Sequence, residues 1–185
     1  MGMEHVIWKR RQLLVNGREW MTFETDSASE QAVLVYKALG LAYPKFYKMD
    51  ILSKVAYLCS ELLLKDKAPS AFDPARTAAC ISTADGCIEA DTRFLESTET
   101  IPSPALFVYT LPNIMLGEIC IRHKLKGEQV CYSAPLMDRE DMRFYLQDIF
   151  TNRRQEHCLC GHVNVQDDLA DAELYWVDKA TYTSL

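Results

Sequence analysis

The chain has no apolar run approaching the roughly 20 residues that cross a bilayer, and its opening, MGMEHVIWKRRQ, carries charges where a signal peptide has its apolar core. No membrane segment is expected, and a cytoplasmic setting is. A disulfide framework is missing as well. The seven cysteines, Cys59, Cys80, Cys87, Cys120, Cys131, Cys158 and Cys160, are odd in number and scattered through apolar segments. Such cysteines are small buried hydrophobes, free thiols of a reducing compartment. Excess positive charge is lacking too: 20 Lys and Arg against 26 Asp and Glu leave a net charge of −6. That balance argues against nucleic acid, whose phosphates need clustered cations.

What is present is an ordinary globular composition, 49% hydrophobic and 25% charged over 185 residues. It excludes a largely disordered chain and fits one domain, residues 1–185, with a substantial core. Residues 4–14 read as a strand, and Asn16-Gly17 is a hairpin turn before a second strand at 18–23. Asp26-Ser27-Ala28-Ser29-Glu30 opens a helix through residues 31–39, stopped by Gly40. Asp50 caps a second helix, whose Leu52, Val55, Ala56, Cys59, Leu62 and Leu63 repeat at helical spacing. Residues 77–83 (TAACIST) are apolar without alternation, as in a central strand covered on both faces, and Asp85-Gly86 ends it.

Asp91 is placed to cap a short helix. Thr110 and Pro112 start another, in which Ile114, Met115, Leu116, Ile119, Cys120 and Ile121 are apolar nearly all round, a pattern of core or interface burial. Residues 130–134 form the next strand. A sharp junction then leads to a helix capped by Asp138, with Met142, Tyr145, Leu146 and Ile149 as its inner stripe. Strands follow at 157–165 and 173–177, joined by the acidic loop QDDLAD. This order predicts an α/β fold, a mixed and mostly parallel sheet with helices on both faces.

The junction Ser133-Ala134-Pro135-Leu136-Met137 has the shape of an active-site elbow, a nucleophile lifted above a strand end before a helix N-terminus. Cys131 and Ser133 are the candidate nucleophiles, although a strand cysteine and a turn serine suit purely structural roles as well. In the run His157, Cys158, Cys160, Gly161, His162, strand alternation puts Cys158, Cys160 and His162 on one face. Structural zinc sites use wider spacings and a fourth ligand, so no metal or other cofactor is expected. Lys9, Arg10, Arg11 and Arg18 form the one basic cluster. They suit either a protected strand edge or a docking surface for an acidic partner.

Ser103-Pro104-Ala105-Leu106-Phe107-Val108-Tyr109-Thr110-Leu111-Pro112-Asn113, followed by Gly117-Glu118 and Ile121-Arg122, resembles the β-ketoacyl synthase N-terminal domain. SKVAYLCSELLL, Asp85-Gly86, Asp91-Thr92-Arg93-Phe94 and Gly161 fall in matching order, so the resemblance spans about residues 1–178. It implies half of a thiolase-like fold. The family's nucleophilic cysteine would fall near Leu136, and neither Leu136 nor Met137 can attack a thioester. Active condensing enzymes also draw histidines or a lysine from a second half, so standalone condensation is not expected.

The resemblance therefore implies a noncatalytic subunit or accessory protein of fatty-acid or polyketide (aryl polyene type) assembly. Its partners would be a full-length ketosynthase, in a heterodimer, or a second copy, together with an acyl carrier protein docking on Lys9, Arg10, Arg11 and Arg18 or on Arg153 and Arg154. The interface would use residues 130–133 and the helix from Leu111. Two alternatives stand beside it: a divergent acyl-thioester transferase or hydrolase using Cys131 or Ser133, and an acyl-binding protein with a pocket between the elbow, Phe107 and Tyr109.

Overall fold

The computed structural model describes residues 3–68 and 70–185. Its strands are β1 (Glu4–Lys9), β2 (Gln12–Val15), β3 (Arg18–Thr22), β4 (Thr77–Thr83), β5 (Gln129–Ser133), β6 (His157–Gln166) and β7 (Leu169–Asp178). Its helices are α1 (Ala28–Ala38), α2 (Ile51–Leu64), α3 (Ile88–Ser97), α4 (Pro104–Val108), α5 (Ile114–His123) and α6 (Arg139–Thr151). All seven strands lie in one sheet, in the order β3-β2-β1-β7-β6-β4-β5.

Strand β4 is buried along its whole length, as its unalternating apolar run implies. Its successive side chains serve two layers. Ala79 and Ile81 join the larger core under α1, α2 and α5, while Ala78 and Cys80 join a smaller one under α6. Strand β6 divides the same way: Leu159 and Val163 face the first layer, and Cys158 and Cys160 face the second. Helices therefore cover both faces, as expected. The α6 stripe of Met142, Leu146, Ile149 and Phe150 closes the second layer. Each such side chain contributes about 1.5–3 kcal/mol on burial.

The sheet is mixed, but its parallel part is confined to β5-β4-β6. The other pairings, β1 with β2, β2 with β3, β1 with β7 and β6 with β7, are antiparallel. The expectation of a mostly parallel sheet is corrected to that extent, because β7 returns antiparallel to β6 and the N-terminal strands extend the same sheet beyond it. Residues 4–14 are also two strands, since the chain reverses at Arg10-Arg11 with Arg10 at φ 50°. The Asn16-Gly17 turn is as expected, with both residues at positive φ.

Four helix starts follow side-chain chemistry: Ser27, Asp50, Ser103 and Asp138 each accept a backbone N–H of the first turn. The starts of α3 and α5 differ from expectation. Helix α3 begins at Ile88, before Asp91, and α5 begins at Ile114 behind Asn113 rather than at Thr110. The expected acidic loop QDDLAD is a tight turn, with Asp167 and Asp168 both at positive φ, and β7 already begins at Leu169. Asp168 then ties this turn to α1, accepting from the Ser29 N–H at 2.9 Å and from the Ser27 and Ser29 hydroxyls. Gly161, at φ 147°, sits so close to β7 that a Cβ there would meet the Glu173 carbonyl oxygen and lie 2.9 Å from Leu174 Cα.

Candidate functional site

Strands β4 and β5 run parallel, and their carboxyl ends open on a cavity of about 410 Å³ lined by Thr83, Asp85, Gly86, Asn113, Cys131 and Ser133, among others. This is where α/β folds place ligands. The elbow itself is looser than expected. Ala134, Pro135, Leu136 and Met137 form an irregular connection, and the helix begins only at Arg139, behind the Asp138 cap. Leu136, at the position the resemblance reserves for a nucleophile, is 61% exposed.

The two candidate nucleophiles do line this cavity, on one face of β5. No hydrogen bond ties either side chain to an imidazole or carboxylate among the described residues, and burial pushes the Cys131 thiol up from its ordinary pKa. A thiol so placed is a poor nucleophile at neutral pH, since the thiolate is the reactive form. The aromatics expected in the pocket are elsewhere. Tyr109 is buried and donates its hydroxyl to Glu118 Oε1 at 3.1 Å, while Phe107 packs on Phe94 with ring centroids 5.3 Å apart.

The strand register brings together groups that linear reading left apart. Ser82 on β4 and His162 on β6 are register partners, with Ser82 Oγ 2.9 Å from His162 Nδ1. Burial lowers the His162 pKa. His162 also lines a small cavity of about 90 Å³ beneath the elbow, with Lys9, Leu136, Met137, Asn164, Asp171 and Glu173. Two residues on, Asn164 clamps the β4 exit. Its Oδ1 accepts from the Asp85 N–H at 3.0 Å and the Thr83 hydroxyl at 3.2 Å, and its Nδ2 donates to Asp85 Oδ2 at 2.6 Å. This clamp holds one wall of the larger cavity. The alternation of β6 carries the only sequence signal for it, since His162 and Asn164 share a face. Cys158 and Cys160 lie under α6 as core residues.

The basic cluster is partly engaged within the molecule. Lys9 pairs with Asp171 at 3.5 Å, and Arg11 makes a bidentate pair with Asp26 at 2.9 and 2.7 Å. Arg10 and Arg18 remain exposed without an ion pair among the described residues. Arg153 is held by Asp148 at 3.2 Å.

Strand β5 is an outer strand of the sheet, half-buried in its middle and, among the described residues, paired only on its β4 side. Pro112 and Asn113 line the same cavity as β5, and the chain around them carries exposed apolar side chains: Phe107, Val108 and Leu111, with Ile121 64% exposed. Helix α5 is thus not buried all round. Met115, Leu116, Ile119 and Cys120 face the core and Ile121 faces out.

No protein-family model and no curated protein matches the chain. Solved structures do. The chain is similar to the ishigamide ketosynthase/chain length factor over 96% of its length, with TM-score 0.68 and 17% identity. It is similar to a ketosynthase (ApeO) structure in complex with its chain length factor (ApeC) from Xenorhabdus doucetiae over 96%, with TM-score 0.54 and 14% identity. A third, a type II PKS acyl-carrier protein in complex with its ketosynthase bound to the hexaketide, is similar over 99% of the chain, with TM-score 0.59 and 11% identity. The chain spans 61%, 77% and 65% of those chains respectively. The likeness shows the fold: half of a thiolase-like architecture.

Proposed function

We propose that the chain is a noncatalytic ketosynthase-like subunit, one ketosynthase-like unit over residues 1–185, that pairs with a full-length synthase and works with an acyl carrier protein in polyketide or fatty-acid assembly of the aryl polyene kind. One observation carries this reading: on a ketosynthase-type fold the elbow presents Leu136 to solvent, where a thioester would need a nucleophile, and the next residue, Met137, packs half-buried against the core under α6. An aliphatic side chain there leaves shape without chemistry. The outer strand β5 supports the pairing, because its free main-chain groups invite a partner strand, and the exposed Phe107, Val108, Leu111 and Ile121 would add apolar contact. Two of the solved relatives are themselves complexes, one of a ketosynthase with its chain length factor and one of a ketosynthase with an acyl-carrier protein. Within the basic cluster, Arg10 and Arg18, exposed and without an ion pair among the described residues, are the cations left to meet an acidic carrier protein.

The test is affinity capture of the tagged chain from native extract, with the eluate analysed for a catalytic ketosynthase and an acyl carrier protein. Stoichiometric recovery of a synthase is the expected result; recovery of the chain alone, with neither protein, overturns the reading. The cavity of about 410 Å³ favours one second reading, an acyl-binding protein, since pockets of 300–1,000 Å³ hold small ligands. Native mass spectrometry after mild purification would then show a copurified acyl group.

A further inference from the structure

The sheet has a second outer strand, β3, at the end opposite β5. Beside it, between β3 and α1, lies a groove of about 590 Å³ lined by Met21, Thr22, Phe23, Glu24, Glu30 and Leu34, among others. Phe23 is buried and Met21 half-buried, forming an apolar floor, and Leu34 stands exposed on the α1 wall. The Phe23 N–H donates to the Arg11 carbonyl at 2.9 Å, on the β2 side. Main-chain groups alternate direction along a strand, so the N–H and C=O of Thr22 point away from β2, into the open edge. A ladder position, an apolar groove and a helix wall are thus side by side. This is the geometry that accepts an extended peptide as an added strand.

The charge around the groove specifies the guest. Glu24 and Glu30 line it, and Glu19 projects from β3 itself. Asp26 close by is already taken by Arg11, whereas Glu24 and Glu30 have no ion pair among the described residues. We propose that the β3 edge and the β3–α1 groove bind an extended segment of a partner protein in which apolar residues alternate with lysine or arginine. Its backbone pairs with Thr22, its apolar side chains enter between Met21 and Leu34, and its cations face Glu24 and Glu30. The register shift between Leu13 and Leu14 in the β2–β3 pairing bulges this edge near Trp20. A bulge restricts pairing to a short stretch and disfavours long edge-to-edge association, so a short peptide fits this edge better than a second copy. The inference is independent of the pairing proposed at β5.

The probe is a synthetic acetylated and amidated heptapeptide alternating lysine with leucine or valine, titrated into the full chain and followed by amide NMR shifts. The expected result is saturable shifts confined to residues 20–25 and the neighbourhood of Leu34. A peptide with glutamate in place of lysine, and one with N-methylated backbone amides, should each bind at least tenfold more weakly. Thr22→Pro removes an outward N–H that β2 does not use, a substitution edge strands accept, and should also weaken binding at least tenfold with the circular dichroism spectrum unchanged. Should Thr22→Pro fail to fold, the N-methylated peptide reads the same ladder from the other side. Equal binding of the lysine and glutamate peptides, undiminished binding of the N-methylated one, or shifts centred elsewhere overturns the proposal. So does a concentration-dependent dimer of the unliganded chain whose interface maps to β3, which would make a second copy the occupant.

Discussion

Glu61 is fully buried on α2, and its carboxylate depends on Arg122, whose Nε and Nη2 donate to its two oxygens at 2.6 and 3.2 Å. Bidentate pairing of this kind offsets the desolvation of the charge. Arg122→Ala should therefore destabilise the protein by about 3 kcal/mol in urea unfolding, and Glu61→Gln in the same background should recover part of the loss. His123 lies against the same carboxylate. The Ser60 hydroxyl donates to the Tyr57 carbonyl at 2.7 Å, which leaves His123 Nε2 to donate to Ser60 Oγ at 3.1 Å. Burial is the chief cause pushing the His123 pKa down, to about 4.

Between its ordinary value near 6.5 and 4, the unfolded chain takes up a proton at His123 that the folded chain refuses. Stability should accordingly fall as pH drops through that window, by a few kcal/mol at most. His123→Gln should flatten that part of the pH profile in urea titrations at a series of pH values. At the thiols the expectation is selective. Six cysteines are buried and Cys131 is half-buried, so a thiol reagent under native conditions should label Cys131 first and slowly. Rapid labelling of Cys131, blocked by an acyl thioester, would favour covalent chemistry at the cavity after all.

Element boundaries were legible where a side chain makes them. Ser27, Asp50 and Asp138 write the starts of α1, α2 and α6 in hydrogen bonds that a sequence displays. Asp138→Ala should cost about 1 kcal/mol and speed amide exchange in the first turn of α6, with the rest of the helix protected. The starts of α3 and α5 have no side-chain cap bond at Cys87 or Asn113, so nothing in the letters marks them. The reversal at Arg10-Arg11 was equally silent, since it forms at two cations without glycine, asparagine or proline. The elbow misled for a related reason. A strand followed by a capped helix was readable, but the length of irregular chain that Ala134 and Pro135 interpose, and hence the exposure of Leu136, depends on where Asp138 sets the helix. The Asn164 clamp and the Ser82–His162 pair needed the strand register, which pairs residues some 80 positions apart.

At the scale of the whole molecule, the α/β class and the two covered faces could be read from hydrophobic patterning, because both cores draw on alternate residues of the same strands. Strand order across the sheet could not, since nothing local in β1 names β7 as its neighbour. The assembly proposed at β5 makes its own prediction here. Ile121→Asp places a charge on a 64% exposed apolar position; it should leave unfolding within about 0.5 kcal/mol of wild type while weakening capture of a synthase. Unchanged capture would remove α5 from the interface.

The pairing of β1 with β7 sets Glu4 beside Trp176 and Lys9 beside Asp171. During synthesis the first strand therefore leaves the ribosome long before its neighbour exists. At translation rates of about 5–20 residues per second it waits on the order of ten seconds. Through that interval Val6 and Trp8, both fully buried in the finished fold, have no β7 to pack beside. Contacts so distant in sequence close late and slowly, so the nascent β1–β2–β3 segment is a natural client for a chaperone that shields apolar strands.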